Sequence, residues 1–104
     1  IQSFDPRTLR VARDLDPSLS LALLVGRGGG DLAENVEALG FTPTIYSPYY
    51  GLVDRTLVDA AHARGMEIIP WTVNERADME RLRALGVDGL ITDYPDRAQF
   101  LLTP

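Results

Sequence analysis

The stretch "GMEIIPWTVNE", Gly65 to Glu75, is the main basis for predicting the fold of this chain. Residues Glu67–Pro70 predict a short buried strand, and the glycine before them is typical of the end of a helix. Trp71, the only tryptophan in the chain, stands where this strand ends and a polar turn begins. A tryptophan inside a strand is usually a core residue, whereas one at a strand end can equally face a ligand. Both alternatives are open for Trp71 at this point.

The same pattern occurs three times along the chain. Each copy has a helix-like end, a glycine and a short apolar strand, and the three glycines are 25 and 21 residues apart. This spacing accommodates one strand, one helix and two loops. The chain is therefore predicted to repeat a strand–helix unit. The copies are "EALGFTPTIYS", "AHARGMEIIPW" and "RALGVDGLITD", with Gly40, Gly65 and Gly86.

About five short strands are predicted, and their nearly continuous apolar character is typical of parallel strands covered by helices. This α/β pattern fits either an open doubly wound sheet or part of a (β/α)8 barrel. A complete barrel needs roughly 250 residues, so this chain would supply only about half of one. "PDRAQFLL" is predicted as a last short helix. The strands are expected at Ile1–Phe4, Leu21–Val25, Thr44–Ser47, Glu67–Trp71 and Gly89–Thr92.

Capping residues mark the starts of three predicted helices. Asp5 is a candidate N-cap, and Pro6 follows it at the first helical position. Asp31 with Glu34 three residues later approximates a capping box. Asn74 is the expected N-cap of the helix that follows Trp71.

Composition excludes several classes of function. The formal net charge is -5, and all ten basic residues are arginines without a run or stripe, which disfavours nucleic-acid binding. The absence of cysteine excludes disulfides and cysteine–zinc sites, and no apolar run is long enough for a membrane span. The chain begins at Ile1, inside a predicted strand and without a visible leader. We therefore expect residues 1–104 to be one partial domain of a longer protein, and we predict a cytoplasmic location.

The carboxyl ends of the predicted strands are rich in aromatic residues and poor in catalytic ones. Chemistry lies at these ends in parallel architectures, yet none of them offers two acids at the close spacing that a divalent metal prefers. His62, the only histidine, is predicted on a helix surface near the helix C-terminus, where the dipole favours it. Asp93 has two interpretations, a metal ligand or a residue that caps the following turn or pairs with an arginine.

"GRGGGD", residues 26–31, lies between a strand and a helix, as a phosphate-binding loop would. It fails the dinucleotide pattern, because Asp31 occupies the position of the third glycine, and it lacks the lysine of a P-loop. A carboxylate at the helix start would also repel a bound anion. We interpret the segment as a flexible loop, from which Arg27 could still reach a phosphate.

Four stretches together resemble the C-terminal half of a bacterial glycerophosphodiester phosphodiesterase. "AHARGMEIIPWTVNE" followed by "LGVDGLITDYP" is quite specific for that family, and the resemblance covers nearly the whole chain. The four stretches are "SFDPRTLRVARDLDP", "LAENVEALGFTPTIYSPYYGLVD", "LVDAAHARGMEIIPWTVNE" and "MERLRALGVDGLITDYPDR".

The resemblance implies the C-terminal half of a (β/α)8 barrel that hydrolyses glycerophosphodiesters to glycerol 3-phosphate and an alcohol. It also implies a divalent cation, Mg2+ or Ca2+, held by carboxylates, and two histidines as general acid and base. The family carries these groups in its N-terminal half, and none of those motifs has a match here. His62 matches neither family histidine. The resemblance therefore places the metal ligands outside this chain and transfers no catalytic or metal-binding residue to it.

The resemblance transfers only residues of the substrate pocket. Phe4 and Trp71 match positions at the barrel mouth that shape this pocket in the family. Trp71 is therefore predicted to wall the pocket beside the glycerol or alcohol group, since an aromatic face packs well on a carbon chain. Tyr46, Tyr49 and Tyr50 are further candidates for the same rim.

Two functions remain open for the chain on its own. The first is the substrate-side half of a phosphodiesterase, inactive alone because metal and histidine motifs are missing. The second is a self-associating half-barrel with a structural or small-molecule-binding role and no hydrolytic activity. In either case an open half-barrel leaves unpaired strand edges and an apolar inner face. We therefore expect the chain to pair with itself or with the N-terminal half.

Overall fold

The computed structural model describes residues 1–96, and the greater part of the predicted last helix, "PDRAQFLL", lies outside them. Strands and helices alternate along the described residues, with one short 3-10 turn between the third strand and the third helix. The elements are β1 (Gln2–Ser3), α1 (Pro6–Leu15), β2 (Ala22–Val25), α2 (Leu32–Leu39), β3 (Ile45–Pro48), the 3-10 turn (Tyr50–Leu52), α3 (Arg55–Ala63), β4 (Glu67–Ile68) and α4 (Arg76–Leu85).

The sheet has the order β1-β2-β3-β4, and every neighbouring pair is parallel. Tyr46 lies between Leu23 and Ile68 in the register, and a further bridge joins Tyr49 to Trp71 beyond the ends of β3 and β4. A doubly wound sheet reverses its strand order at a switch point. This sheet adds each strand beside the previous one without a reversal, as the wall of a barrel does. The predicted alternation of parallel strands and helices is confirmed.

The predicted fifth strand, Gly89–Thr92, does not form a regular strand in the described part of the chain. It still runs beside β4, because the Ile91 amide donates to the Pro70 carbonyl and the Val73 amide donates to the Ile91 carbonyl. Pro70 has no N–H that could donate to the segment, and the Ile68 N–H donates to the Asp88 carboxylate instead of to a backbone carbonyl. The edge of β4 that faces this segment therefore lacks the donors that a strand ladder needs.

The two faces of the sheet differ in burial. Leu23, Tyr46 and Ile68 share the face that the helices cover, and each is at most 4% exposed. Because side chains alternate along a strand, their neighbours Ile45 and Ile69 lie on the opposite face. Those two side chains are only partly buried. The second face corresponds to the interior of a barrel wall.

Helix ends follow the predicted capping in part. The Asp5 carboxylate accepts the Arg7 amide at 2.9 Å and caps α1, with Pro6 at its first position, so this prediction is confirmed. Asp31 is the N-cap residue of α2, but within residues 1–96 its side chain makes no capping hydrogen bond. Asn74 is not the N-cap of α4, and that position belongs to Glu75. The side-chain oxygen of Asn74 instead accepts the Asp93 N–H from another loop. No helix among residues 1–96 is long and apolar enough to cross a membrane.

Candidate functional site

Four aromatic side chains meet at the carboxyl ends of β1, β3 and β4, and we call Phe4, Tyr49, Tyr50 and Trp71 the aromatic cluster. The rings of Phe4 and Trp71 are 5.6 Å apart and nearly perpendicular, at 89°. Tyr49 lies 5.7 Å from Trp71, also edge-on, and 4.8 Å from Tyr50. Phe4 is 57% exposed, so the cluster presents ring surface to solvent. Edge-to-face packing of this kind stabilises each ring in one orientation.

The backbone around Trp71 explains why its ring stays at the strand end. Its indole N–H donates to the Ser47 carbonyl at 3.0 Å, which satisfies the polar edge of the ring. The Trp71 amide donates to the Pro48 carbonyl, and the Trp71 carbonyl accepts the Tyr50 amide at 2.9 Å. The tryptophan is therefore held both through its side chain and through its backbone, with the rest of the ring left to pack on Phe4 and Tyr49.

Arg27 lies in a tight turn directly after β2, at the same carboxyl end of the sheet as the aromatic cluster. The Gly29 amide donates to the Gly26 carbonyl at 2.9 Å, and the guanidinium carbon of Arg27 lies 4.7 Å from the centre of the Tyr49 ring. A side chain at Gly29 would overlap Val25 and the Gly26 carbonyl oxygen, so the turn requires glycine there. The sequence predicts a flexible loop in this place, whereas the structure has a defined turn that directs Arg27 to the aromatic cluster.

A polar network lies next to the cluster, between the loop after β4 and the last described segment. The Asn74 carbonyl oxygen accepts the Asp93 amide at 3.0 Å and the Thr92 hydroxyl at 3.3 Å, while its NH2 group donates to the Asp93 carboxylate at 3.2 Å. The Tyr94 amide donates to the Thr92 hydroxyl. Asp93 thus joins two loops through Asn74, a role that differs from both predicted interpretations.

Tyr46 does not join the aromatic cluster. The sequence predicts it at the same rim as Tyr49, but the register puts its side chain on the helix-covered face, where it is 1% exposed. Its hydroxyl accepts the NH2 group of Asn35 at 2.9 Å, and Asn35 also donates to the Gly30 carbonyl. Tyr46 is therefore a core residue that ties β3 to the start of α2.

Burial raises the pKa of Tyr46 above its ordinary value of about 10, because a phenolate would lose its hydration there. The unfolded chain releases the phenol proton first as the pH rises. The stability that this difference contributes is therefore complete below pH 10 and is lost as the pH rises from 10 toward the raised pKa. We expect a lower urea midpoint at pH 11 than at pH 8, with a smaller drop in Tyr46→Phe. An equal drop in both proteins would contradict this assignment.

His62 lies at the opposite end of the sheet from the aromatic cluster, near the C-terminus of α3. Its Nε2 is 2.8 Å from the Asp88 carboxylate, and the same carboxylate oxygen accepts the Ile68 amide at 2.8 Å. The prediction of a partly packed helix-surface residue is consistent with its 41% exposed side chain. The partner Asp88 could not be found from sequence spacing, because it lies 26 residues further along the chain.

The described residues do not fit a divalent-metal site. Within residues 1–96, no three histidine or acidic side chains lie close enough together to hold a metal ion. The Arg7 side chain bonds to both oxygens of the Asp5 carboxylate and lowers the pKa of Asp5. Asp93, a further carboxylate at this end, is bonded to Asn74. We therefore derive no catalytic step through a metal from these residues.

Sequence comparisons place the chain beside one enzyme family. A sequence profile of the glycerophosphoryl diester phosphodiesterase family matches residues 1–97. A glycerophosphodiester phosphodiesterase of Caldanaerobacter subterraneus is 34% identical over 99 residues, which are 92% of this chain and 39% of that protein. One from Bacillus altitudinis is 34% identical over 101 residues, 94% of this chain and 40% of that protein. The chain therefore spans about two fifths of the length of these curated relatives.

Solved structures give the same fold. A Silicibacter pomeroyi structure assigned as a glycerophosphoryl diester phosphodiesterase superposes with a TM-score of 0.84 at 35% identity, over 97% of this chain and 36% of that one. An Oleispira antarctica phosphodiesterase, solved with the product sn-glycerol-3-phosphate, superposes with a TM-score of 0.82 at 22% identity, over 99% of this chain and 41% of that one. These structures are (β/α)8 barrels, so the prediction of a partial barrel is confirmed.

Proposed function

Because the chain belongs to the glycerophosphoryl diester phosphodiesterase family, we propose that it forms the substrate-side wall of a metal-dependent enzyme. The complete barrel hydrolyses glycerophosphodiesters to glycerol 3-phosphate and an alcohol. The observation that carries this proposal is the aromatic cluster, in which Phe4 and Trp71 pack together at the carboxyl ends of their strands. Active sites of parallel barrels lie at that end.

The cluster suits the carbon skeleton of a glycerol or alcohol group. Trp71 presents a ring whose N–H is already bonded to the Ser47 carbonyl, so its free surface is mainly apolar. Such a surface packs against C–H groups and leaves the hydroxyls of the ligand to other partners. Phe4, Tyr49 and Trp71 are accordingly proposed as substrate contacts, and Tyr46 is proposed to support them from the core.

Hydrolysis needs groups that the described residues do not bring together. Water must lose a proton as it attacks phosphorus, the bond to the alcohol oxygen must break, and that oxygen must gain a proton. His62, the only histidine in the chain, lies at the other end of the sheet. We therefore propose that the acid, the base and the carboxylates for Mg2+ or Ca2+ come from barrel residues that this chain does not contain. The 104-residue chain is then inactive alone.

The open inner face of the sheet supports a proposal that the chain pairs with further strands. Ile45 and Ile69 lie on that face only partly buried, and β1 has a neighbour on one side only within the described residues. Such a face and edge are stabilised when further parallel strands complete the barrel. We propose that these strands come from the remainder of a phosphodiesterase barrel or from a second copy of the chain. The predicted cytoplasmic location is part of the same proposal.

Binding of sn-glycerol 3-phosphate tests the pocket wall directly. The chain contains one tryptophan, so the indole N–H of Trp71 gives a single, assigned NMR signal. We expect millimolar sn-glycerol 3-phosphate to shift this signal, and Phe4→Ala to raise the concentration required several-fold. Phe41→Ala is the matched control, because Phe41 follows α2 at the other end of the sheet. A signal that does not move, or one equally weakened by both variants, would refute the pocket wall.

Catalysis is tested separately, by release of glycerol 3-phosphate from glycerophosphocholine with Mg2+ or Ca2+. The chain alone is expected to give no turnover above the metal-only blank. Metal-dependent turnover by the chain alone would show that it assembles a complete site, and the proposed division of groups would then be wrong.

A further inference from the structure

We propose that Arg27 makes this site selective for glycerophosphodiesters whose alcohol group carries no positive charge. The inference rests on the proposed function, since it concerns the alcohol side of the same pocket. It names a substrate class, phosphodiesters of glycerol with a neutral polyol, and a specificity-determining residue in the turn after β2.

The aromatic cluster without Arg27 would favour a cation. The π face of an aromatic ring attracts quaternary ammonium groups, and several rings together make a cage for them. Here four rings lie within a short distance, with centroid separations of 4.8 to 5.7 Å. On this ground alone, a choline group would be the expected occupant.

Arg27 already occupies the cation position on one of these rings. Its guanidinium carbon lies 4.7 Å from the Tyr49 centroid, within the range of a cation–π contact. Arg27 takes part in none of the ion pairs between described residues, so its charge is not neutralised by a contacting carboxylate among them. An incoming ammonium would lose that ring face and approach a like charge. Two unit charges about 5 Å apart repel each other even in water by an energy equivalent to roughly four-fold in affinity.

The turn fixes the backbone position from which the Arg27 side chain reaches the Tyr49 ring. The Gly26–Gly29 hydrogen bond and the lack of room at Gly29 set the backbone that carries Arg27. On the other side of the contact, the Tyr49 ring lies close to Gly51, where a Cβ would be 2.6 Å from the ring carbon Cε2. A guanidinium offers five N–H donors. Those donors not turned to the ring can bond to the hydroxyls of a polyol.

The test compares two probes that differ only in the alcohol group. Glycerophosphoglycerol and glycerophosphocholine share the glycerol and the phosphodiester, and each is titrated against the Trp71 indole signal of the 104-residue chain. We expect glycerophosphoglycerol to bind about ten-fold more tightly, from charge repulsion and the loss of one ring face combined. Arg27→Gln is expected to abolish or invert this preference. Arg13→Gln, which removes a similar cation–π contact at 4.6 Å from Phe41, is expected to preserve it.

Three results would overturn the inference, and they differ in what they say about the proposed function. If both probes shift Trp71 equally in the unchanged chain, the pocket stands but has no charge selectivity. If Arg27→Gln weakens both probes by the same factor, Arg27 contacts the shared phosphate and does not select the alcohol. If neither probe nor sn-glycerol 3-phosphate moves the signal, the pocket wall itself fails.

Discussion

Replacing Tyr46 with alanine is expected to lower the free energy of unfolding by about 3–5 kcal/mol. The side chain is 1% exposed and lies in the core between β3 and the helices, so its removal leaves a cavity among side chains that pack closely. The Asn35 NH2 group also loses the hydroxyl that it contacts at 2.9 Å. Urea denaturation followed by circular dichroism measures the change.

Two variants separate the contributions to this loss. Tyr46→Phe keeps the ring and removes only the hydroxyl, so we expect about 1 kcal/mol, since Asn35 retains its bond to the Gly30 carbonyl. Tyr49→Ala, three residues further on and just past the end of β3, removes a partly exposed ring of the aromatic cluster and is expected to cost less than Tyr46→Ala. If Tyr46→Ala instead left stability unchanged and weakened sn-glycerol 3-phosphate binding, Tyr46 would be a rim residue.

The sequence could not decide which side chains of the third strand face the helices. "TIYSPYY" predicts a strand, but its apolar and aromatic residues fall on both alternating sets, as they do in strands buried on both faces. A shift of one residue exchanges the two sets. Only the pairing of Tyr46 with Leu23 and Ile68 shows which set the helices cover.

The sequence located candidate residues at the strand ends, but it missed a contact that depends on a distant partner. Tyr49 and Trp71 belong to strand ends that the repeated pattern locates, and Phe4 is a candidate through the family resemblance. The structure brings the three rings together. The contact between Arg27 and Tyr49 joins the ends of two different strands. Local sequence patterns do not predict which neighbouring strand end a loop side chain contacts. For this reason the sequence predicted only that Arg27 lies in a flexible loop.

The prediction of a regular fifth strand was wrong for a local reason that is visible in the sequence. A proline inside a strand removes a donor from one edge, and Pro70 stands in "EIIPW" where β4 would have to pair with Gly89–Thr92. The apolar run Gly89–Thr92 correctly predicts that this segment lies beside β4. The segment lacks the regular ladder of backbone hydrogen bonds, and a side chain supplies part of that bonding.

That side chain is Asp88, and Asp88→Ala is expected to cost about 2–3 kcal/mol of unfolding free energy. The Asp88 amide donates to the Ile68 carbonyl at 3.0 Å, and its carboxylate accepts the Ile68 amide at 2.8 Å. Asp88 thereby makes both hydrogen bonds that a neighbouring strand would make with Ile68. Because Ile68 is fully buried, its N–H would find no water after the carboxylate is removed.

Graded substitutions distinguish this backbone bond from the 2.8 Å contact between the Asp88 carboxylate and His62. Asp88→Asn keeps an acceptor oxygen for the Ile68 amide and is expected to cost less than half as much as Asp88→Ala. His62→Ala removes a partner that is 41% exposed, and exposed pairs contribute only about 0–1 kcal/mol. Urea midpoints at pH 7 rank the three variants. Equal losses for His62→Ala and Asp88→Ala would mean that the pair with His62, and not the bond to Ile68, holds the last segment to β4.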